Sequence, residues 1–237
     1  MKKLTILIYF FSFVVWNLKG QTLSFKTYNS NSGLSQNSIY SITQDKEGFL
    51  WFGSQAGLNR FDGNEFKLFV PRIVTNHKVM TDFSKMITAL HRDATNFLWV
   101  GTTNELLIYD AVKNKWYTPE EKYPGFYIAP LAWVVAVTED AGGKLWVSTR
   151  KAGLYCYDKI KKKMIVLPKQ IVQAKPEIKH CRFDNDHICT ARDNVIYLLN
   201  DTSVQLINTD KLLQSNGNIV TAVESVNGDV WFIANGK

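Results

Sequence analysis

Three aspartates in this chain head the same short pattern. Asp45, Asp93 and Asp140 stand three positions before Gly48, Asn96 and Gly143, and six before Trp51, Trp99 and Trp146. A carboxylate at the head of a turn caps backbone amides, and Gly or Asn three residues on supplies the left-handed backbone such a turn needs. The chemistry this spacing predicts is therefore structural. Other reactive side chains gather into no site. Glycoside hydrolysis needs two facing carboxylates, whereas Glu120 and Glu121 are neighbours that would project apart in a strand, and beside Pro119 they read as a solvated turn. His77, His91, His180 and His187 have no nucleophile placed near them by any motif. Cys156, Cys181 and Cys189 include no Cys-x-x-Cys, and with the scattered histidines they make no zinc ligand set. Spacing alone leaves open whether Cys181 and Cys189 form a disulfide. No catalytic residue, no metal site and no cofactor is expected, and the ligand-binding residues are not legible.

The elements that must position these residues follow from an internal repeat. Each tryptophan has an apolar residue twelve positions before it (Ile39, Ile87, Val134 and, for Trp231, Ile219) and an aliphatic immediately before it (Leu50, Leu98, Leu145, Val230). Gly228 holds the turn position of the last copy, where Ser225 replaces the aspartate. The period of about 47 residues lies in the range of propeller blades. One unit reads as a strand, an Asp-x-x-Gly turn, a Leu-Trp strand, a second turn ending at Gly57-Leu58 or Gly153-Leu154, a third strand ending at Phe/Tyr-Asp, and a more variable fourth, such as 65–70 or 115–118. Glu105 takes the place of that Gly in the second copy, and Ser148 replaces the Gly after Trp146. A degenerate copy fits around 182–200, with Ile188 in the tryptophan's place and Asn194 in that of Gly57.

The fold class predicted is all-β: a β-propeller of four-stranded antiparallel blades, incomplete at about four and a half blades. The blade repeats fall near 37–70, 85–118, 132–167, 176–208 and 217–237. The structural blade residues are Trp51, Trp99, Trp146, Trp231, Asp45, Gly48, Asp93, Asp140, Gly143 and Gly228. Four-stranded sheets of this kind bury their faces on neighbouring blades, so the tryptophans are expected as wedges between blades. Residues 23–28 read as an outer strand suited to sealing the ring. With the ring unfinished, open blade edges predict pairing with a partner or self-association.

Composition agrees. Seven Trp among 13% aromatic residues suit pleated, half-buried surfaces. Residues 1–20 read as a signal peptide: Lys2 and Lys3 precede an apolar run from Leu4 to Trp16 that is shorter than the roughly 20 residues a span needs. The partial propeller then occupies 21–237 and is expected to be periplasmic. Without Lys2, Lys3 and Lys19 the formal charge of +7 becomes +4. Much of the rest lies in the lysines of 159–163, which read as a solvated hairpin tip, and no nucleic-acid partner is expected.

The run Gly33-Leu34-Ser35-Gln36-Asn37-Ser38-Ile39 leads into Asp45-x-x-Gly48-x-Leu50-Trp51-x-Gly53 and Gly57-Leu58-x-Arg60-Phe61-Asp62. In this it resembles the two-component regulator propeller repeat, the periplasmic sensor region of hybrid two-component histidine kinases and related one-protein regulators. The resemblance covers roughly 22–237. It implies sensing of a ligand, often an oligosaccharide, by a propeller joined through a membrane helix to a kinase. The chain ends six residues past Trp231, so membrane contact is expected only through further C-terminal parts, and kinase chemistry is not expected of this stretch. The segment from Asp140 to Trp146 is also similar to the tryptophan-docking repeats of quinoprotein dehydrogenases. A quinoprotein or glycosidase-type propeller enzyme, or a protein-interaction propeller, is the alternative. Candidate ligand loops are 35–38, the insert 74–84 and the connection 117–133.

Overall fold

In the computed structural model the described residues are 24–75, 78–80, 86–150, 152–167 and the strands within 181–235. The signal-peptide expectation for 1–20 and the turn residue Gly228 lie outside them.

The first blade is an antiparallel meander of β1 (Ile39–Gln44), β2 (Leu50–Ser54), β3 (Gly57–Phe61) and β4 (Phe66–Phe69). A short hairpin follows, β5 (Ile73–Thr75) with β6 (Lys78–Met80), overlapping the insert 74–84. The second blade holds β7 (Ile87–Arg92), β8 (Leu98–Thr102), β9 (Leu106–Asp110) and β10 (Lys115–Tyr117). One helical turn, α1 (Pro119–Lys122), leads on. The third blade holds β11 (Val134–Glu139), β12 (Lys144–Thr149), β13 (Gly153–Asp158) and β14 (Lys163–Ile165). The fourth is built from β15 (Cys181–Arg182), β16 (Ile188–Arg192), β17 (Val195–Leu199) and β18 (Val204–Asn208), and β19 (Asn218–Glu224) pairs with β20 (Val230–Asn235). The all-β propeller architecture holds, and no described strand pairs the first sheet with the last.

A common irregularity shapes the blades. The first strand slips by one residue against the second between Ile39 and Ser41, Ile87 and Ala89, Val134 and Ala136, and Ile219 and Thr221. Such a bulge bends a strand and adds twist. At the second blade the extra residue is Thr88, whose hydroxyl donates to the carbonyls of Gly101 (3.1 Å) and Val134 (2.6 Å), tying blade two to the first strand of blade three.

The core lies between blades. Trp51 and Leu58 of blade one pack with Ile87, Leu98, Val100, Leu107 and Tyr109 of blade two. Trp99, Leu106 and Ile108 of blade two pack with Val137, Leu145, Val147 and Tyr157 of blade three, and with Phe126 of the connection. The aromatic contacts are edge-on or tilted, 5.6 Å from Trp51 to Tyr109 and 5.7 Å from Trp99 to Phe126, in the range where rings attract beyond simple burial. Close approach of the first three blades needs the Gly two residues after Trp51 and after Trp99. A Cβ on Gly101 would come within 2.5 Å of Val134 Cγ1, and one on Gly53 within 2.7 Å of Ile87 Cγ2.

Three sequence expectations change. Residues 24–28, the described part of the proposed sealing strand, pair with no described strand; Tyr28 instead packs edge-on against Phe61 and Phe66 of the first blade. In the fourth blade Cys189 rather than Ile188 stands where the tryptophan belongs, and Val195 rather than Asn194 matches Gly57. The ladder decides this, because Cys181 faces Cys189 and Arg192 faces Val195, as Thr43 faces Trp51 and Ser54 faces Gly57. Lys159 does not belong to a solvated tip. Its side chain is mostly buried and its ammonium lies 3.0 Å from Asp93 and 3.1 Å from Glu139, while Lys161 and Ile160 are exposed.

Candidate functional site

Each repeat aspartate uses both oxygens. Asp45 Oδ1 accepts from the amide of Phe49 (2.9 Å) and its Oδ2 from the indole N–H of Trp51 (2.7 Å). Asp93 treats Phe97 and Trp99 the same way, at 3.0 and 2.9 Å, and Asp140 treats Lys144 and Trp146 so, both at 2.9 Å. The six-residue spacing works because the turn folds the second strand back beside the first, which sets the indole nitrogen over the carboxylate. Gly48 (φ 89°) and Asn96 (φ 71°) make that reversal. Each carboxylate thus holds a buried indole whose N–H would otherwise be unpaired, a loss costing about 1–3 kcal/mol.

Asp93 is the most heavily engaged. Thr95, Tyr123 and Lys159 also donate to it, at 2.6, 3.2 and 3.0 Å. Burial pushes its carboxyl up, but the hydrogen bonds from Thr95 and Trp99 and the Lys159 charge outweigh that and leave it below the ordinary carboxylate range. Burial, reinforced by the Asp93 charge, holds the Tyr123 phenol far above its usual range, and burial pushes Tyr109 up to about 12.

These groups lie on the rim that carries the first-to-second and third-to-fourth strand turns. Contacts between blades occupy much of that rim. Lys46 Nζ donates to the Ala94 carbonyl (2.9 Å), Asn96 to Glu47 (3.1 Å), Arg92 Nε to the Gln44 carbonyl (3.0 Å), and the Ala94 amide to Glu139 (3.1 Å).

The opposite rim carries the second-to-third strand hairpins and the loops that lead into each blade. Loop 35–38 is fastened to the first hairpin: the Ser35 amide donates to Asn59 Oδ1 (3.0 Å), and the Ser35 and Ser54 hydroxyls share a hydrogen bond (3.2 Å). At the third blade the connection 117–133 ends in a strained segment. Leu131 (φ 54°) and Trp133 (φ 49°) both adopt the left-handed region, unusual for large side chains and commonest at functional sites. The loop is held there by bonds from the Ala129 amide to Tyr155 Oη (3.2 Å), from Tyr157 Oη to the Pro124 carbonyl (2.8 Å), and from the Arg150 amide to the Trp133 carbonyl (2.9 Å). The Arg150 guanidinium lies 4.3 Å from the Trp133 ring centroid. Leu131 and Tyr127 beside it are about three-fifths exposed. A partly exposed indole with a guanidinium fixed over it can stack a flat apolar face and pair with a carboxylate or hydroxyl.

Nothing in the sequence marks Arg150; the signal for the site is Trp133, which stands outside the repeat's tryptophan position. Of the third candidate, 74–84, only the short hairpin is described. A cleft of about 470 Å³ lined by Val70, Arg72, Asn114, Lys115 and Trp116 opens on the outer flank. Among the described residues no group of three His, Cys, Asp or Glu side chains is placed to hold a metal ion, and no helix is long and apolar enough to cross a membrane.

Residues 33–56, the leading loop with β1 and β2, match the family described as two component regulator propeller. The chain is 48% identical over 61 residues to Histidine kinase P4 of Formosa agariphila, a stretch that is 25% of this chain and 4% of the kinase. Among solved structures it is similar to the extracellular domain of a hybrid two component system from B. thetaiotaomicron (TM-score 0.66, 23% identity, 87% of this chain and 29% of that one). The extracellular domain of a one component system from the same organism gives 0.63 at 19%, over 90% of this chain and 31% of that one. Virginiamycin B lyase from Staphylococcus aureus gives 0.59 at 13%, over 83% and 63%. At these identities the likeness is one of fold. The chain spans less than a third of the two extracellular domains.

Proposed function

We propose that this regulator propeller is the exported, non-catalytic sensing part of a two-component signalling protein, and that it takes an oligosaccharide on the hairpin rim. The observation that carries the reading is the regulator repeat at 33–56, supported by the 48% identity to a histidine kinase. The rim assignment rests on the contrast between the two ends of the blades: one is occupied by bonds between neighbouring blades, and the other presents Trp133, on a strained, anchored loop, beside Arg150 of the β12–β13 hairpin. A sugar stacked on Trp133 would place its hydroxyls or a carboxylate at the Arg150 guanidinium.

The test is thermal unfolding of the chain with a panel of neutral and uronate-containing oligosaccharides. A ligand that binds only the folded state raises the midpoint with concentration. W133A and R150A are each expected to abolish the shift relative to the variant's own unliganded midpoint, which should stay nearly unchanged for R150A, whose side chain is exposed, and fall for W133A, whose ring is only partly exposed. A panel that moves nothing, or a shift that survives both substitutions, would remove the rim from consideration. The lyase likeness shows that this fold hosts catalysis elsewhere, so turnover of the bound oligosaccharide into product would replace sensing with an enzyme reading.

A further inference from the structure

By sequence, the fourth blade has neither residue of the pair that joins the first two strands of the first three blades. In blades one to three the aspartate at the end of the first strand holds the indole of the second. Measured from the ladder, the aspartate position of blade four is Phe183 and the tryptophan position is Cys189. Both halves of the clamp are gone. The residue directly opposite Cys189 on the neighbouring strand is Cys181.

We propose that Cys181 and Cys189 form a disulfide that replaces the carboxylate–indole clamp of blade four. Directly opposed residues of an antiparallel ladder share one face of the sheet. Their Cα atoms stand roughly 4.5–5.5 Å apart, inside the range of about 4.4–6.8 Å that a disulfide spans. The third cysteine belongs to another blade. Cys156 is fully buried in β13, in a cluster with Trp146, Leu154 and Leu167. The chain's odd cysteine count is then one core residue and one pair.

The oxidant is a disulfide, either that of a dithiol oxidoreductase or a small-molecule disulfide. The thiolate of one cysteine attacks the oxidant's sulfur and forms a mixed disulfide, releasing one thiolate in the small-molecule case. The thiolate of the other cysteine then attacks the mixed disulfide, closes the Cys181–Cys189 bond and expels the remaining sulfur of the oxidant. Two protons and two electrons pass to the oxidant, which ends as two thiols. Such bonds persist in exported proteins, so the bond's persistence in the cell, though not its geometry, rests on the exported reading.

The test uses the full chain and no ligand, so its outcome is independent of oligosaccharide sensing. Chain purified under reducing conditions is moved into a glutathione redox buffer, its free thiols are blocked, and it is digested with trypsin without reduction. Cleavage after Lys179, Arg182 and Arg192 separates the two cysteines, so the expected product is peptide 180–182 linked to peptide 183–192. Blocked thiols at both positions, or linkage to Cys156, to glutathione or to a second copy, overturns the proposal. As a second measurement, reductant is expected to lower the melting midpoint of the oxidised wild-type chain and to leave that of the C181S/C189S chain where it was. Equal responses overturn it as well.

Discussion

At the level of single residues, the repeat aspartates do more than their turn position announces. The three-residue step to Gly48 or Asn96 and the six-residue step to the tryptophan are both legible in sequence, and the first of them reads directly as a capped turn. That the second carboxylate oxygen takes the indole becomes visible only when strand pairing sets Thr43 beside Trp51. The involvement of Lys159 with Asp93 was not legible at all: the two lie 66 positions apart, and a lysine in a lysine-rich tip carries no mark of burial. Asp93 is where this matters most. D93N keeps one acceptor for the turn amides, but turns an amide donor towards Trp99, Tyr123 and Lys159, or forces the reverse arrangement. The expected loss at pH 7 is roughly 1.5–3 kcal/mol, the scale of hydrogen bonds to a charged group, measured by urea unfolding against D45N as a second clamp. The pH dependence has a definite sign. The folded-state carboxyl of Asp93 lies below its unfolded value, so its contribution is fully present above about pH 4 and is lost as pH falls through the lower folded value. The gap between wild type and D93N therefore narrows in acid. A gap that stays constant from pH 7 to pH 3 would show that the charge of Asp93 is not what stabilises the pair.

For the strands and turns, the sequence is informative where the motif is intact and misleads where it has decayed. In the first three blades the strands lie where the Asp-x-x-Gly and Leu-Trp positions put them. In the fourth, with no tryptophan to set the phase, alignment by spacing alone slipped by one residue, and in a ladder that is the difference between one face and the other. Residues 24–28 meet no described strand: alternation makes a segment eligible for a sheet, but an edge must be there to receive it, and Tyr28 packs against Phe61 and Phe66 of the first blade. The glycine after Trp-x marks where one element leans on the next. Gly101 has an ordinary backbone conformation, yet a Cβ there would meet Val134 at 2.5 and 2.8 Å and Ala89 at 3.1 Å. G101A is expected to cost about 1–3 kcal/mol as overpacking. G142A is the comparison, because a Cβ there meets only the Asp140 carboxylate oxygen at 3.3 Å. Denaturant midpoints of the two variants decide the matter. Equal, small effects would mean that the first strand of blade three shifts away without cost, and that the inner strands are less tightly packed than their distances indicate.

For the whole molecule, blades that bury their faces only on their neighbours make stability a matter of interfaces. Blade two is the best placed among the described blades, since its faces are covered on one side by Trp51 and Leu58 and on the other by Val137, Leu145 and Tyr157. Its strands β8 and β9 are buried throughout, whereas Ile42 of β1 and Leu68 of β4 remain exposed. Native-state hydrogen exchange should therefore be slowest in 98–102 and 106–110, and faster in 39–44 and 66–69, because exchange follows the free energy of local opening. The same picture predicts how damage spreads. W99A removes the wedge between blades two and three, a loss of about 3–5 kcal/mol for a buried Trp, and also leaves Asp93 without one of its donors. Exchange should accelerate in β8, β9, β11, β12 and β13, which share that interface, while blade one, held by the separate Trp51 cluster, responds less. W51A should give the complementary pattern, with blades one and two loosened and blade three spared. If either substitution raised exchange equally in all three blades, the propeller would be opening as one cooperative body, and its stability could not be assigned blade by blade.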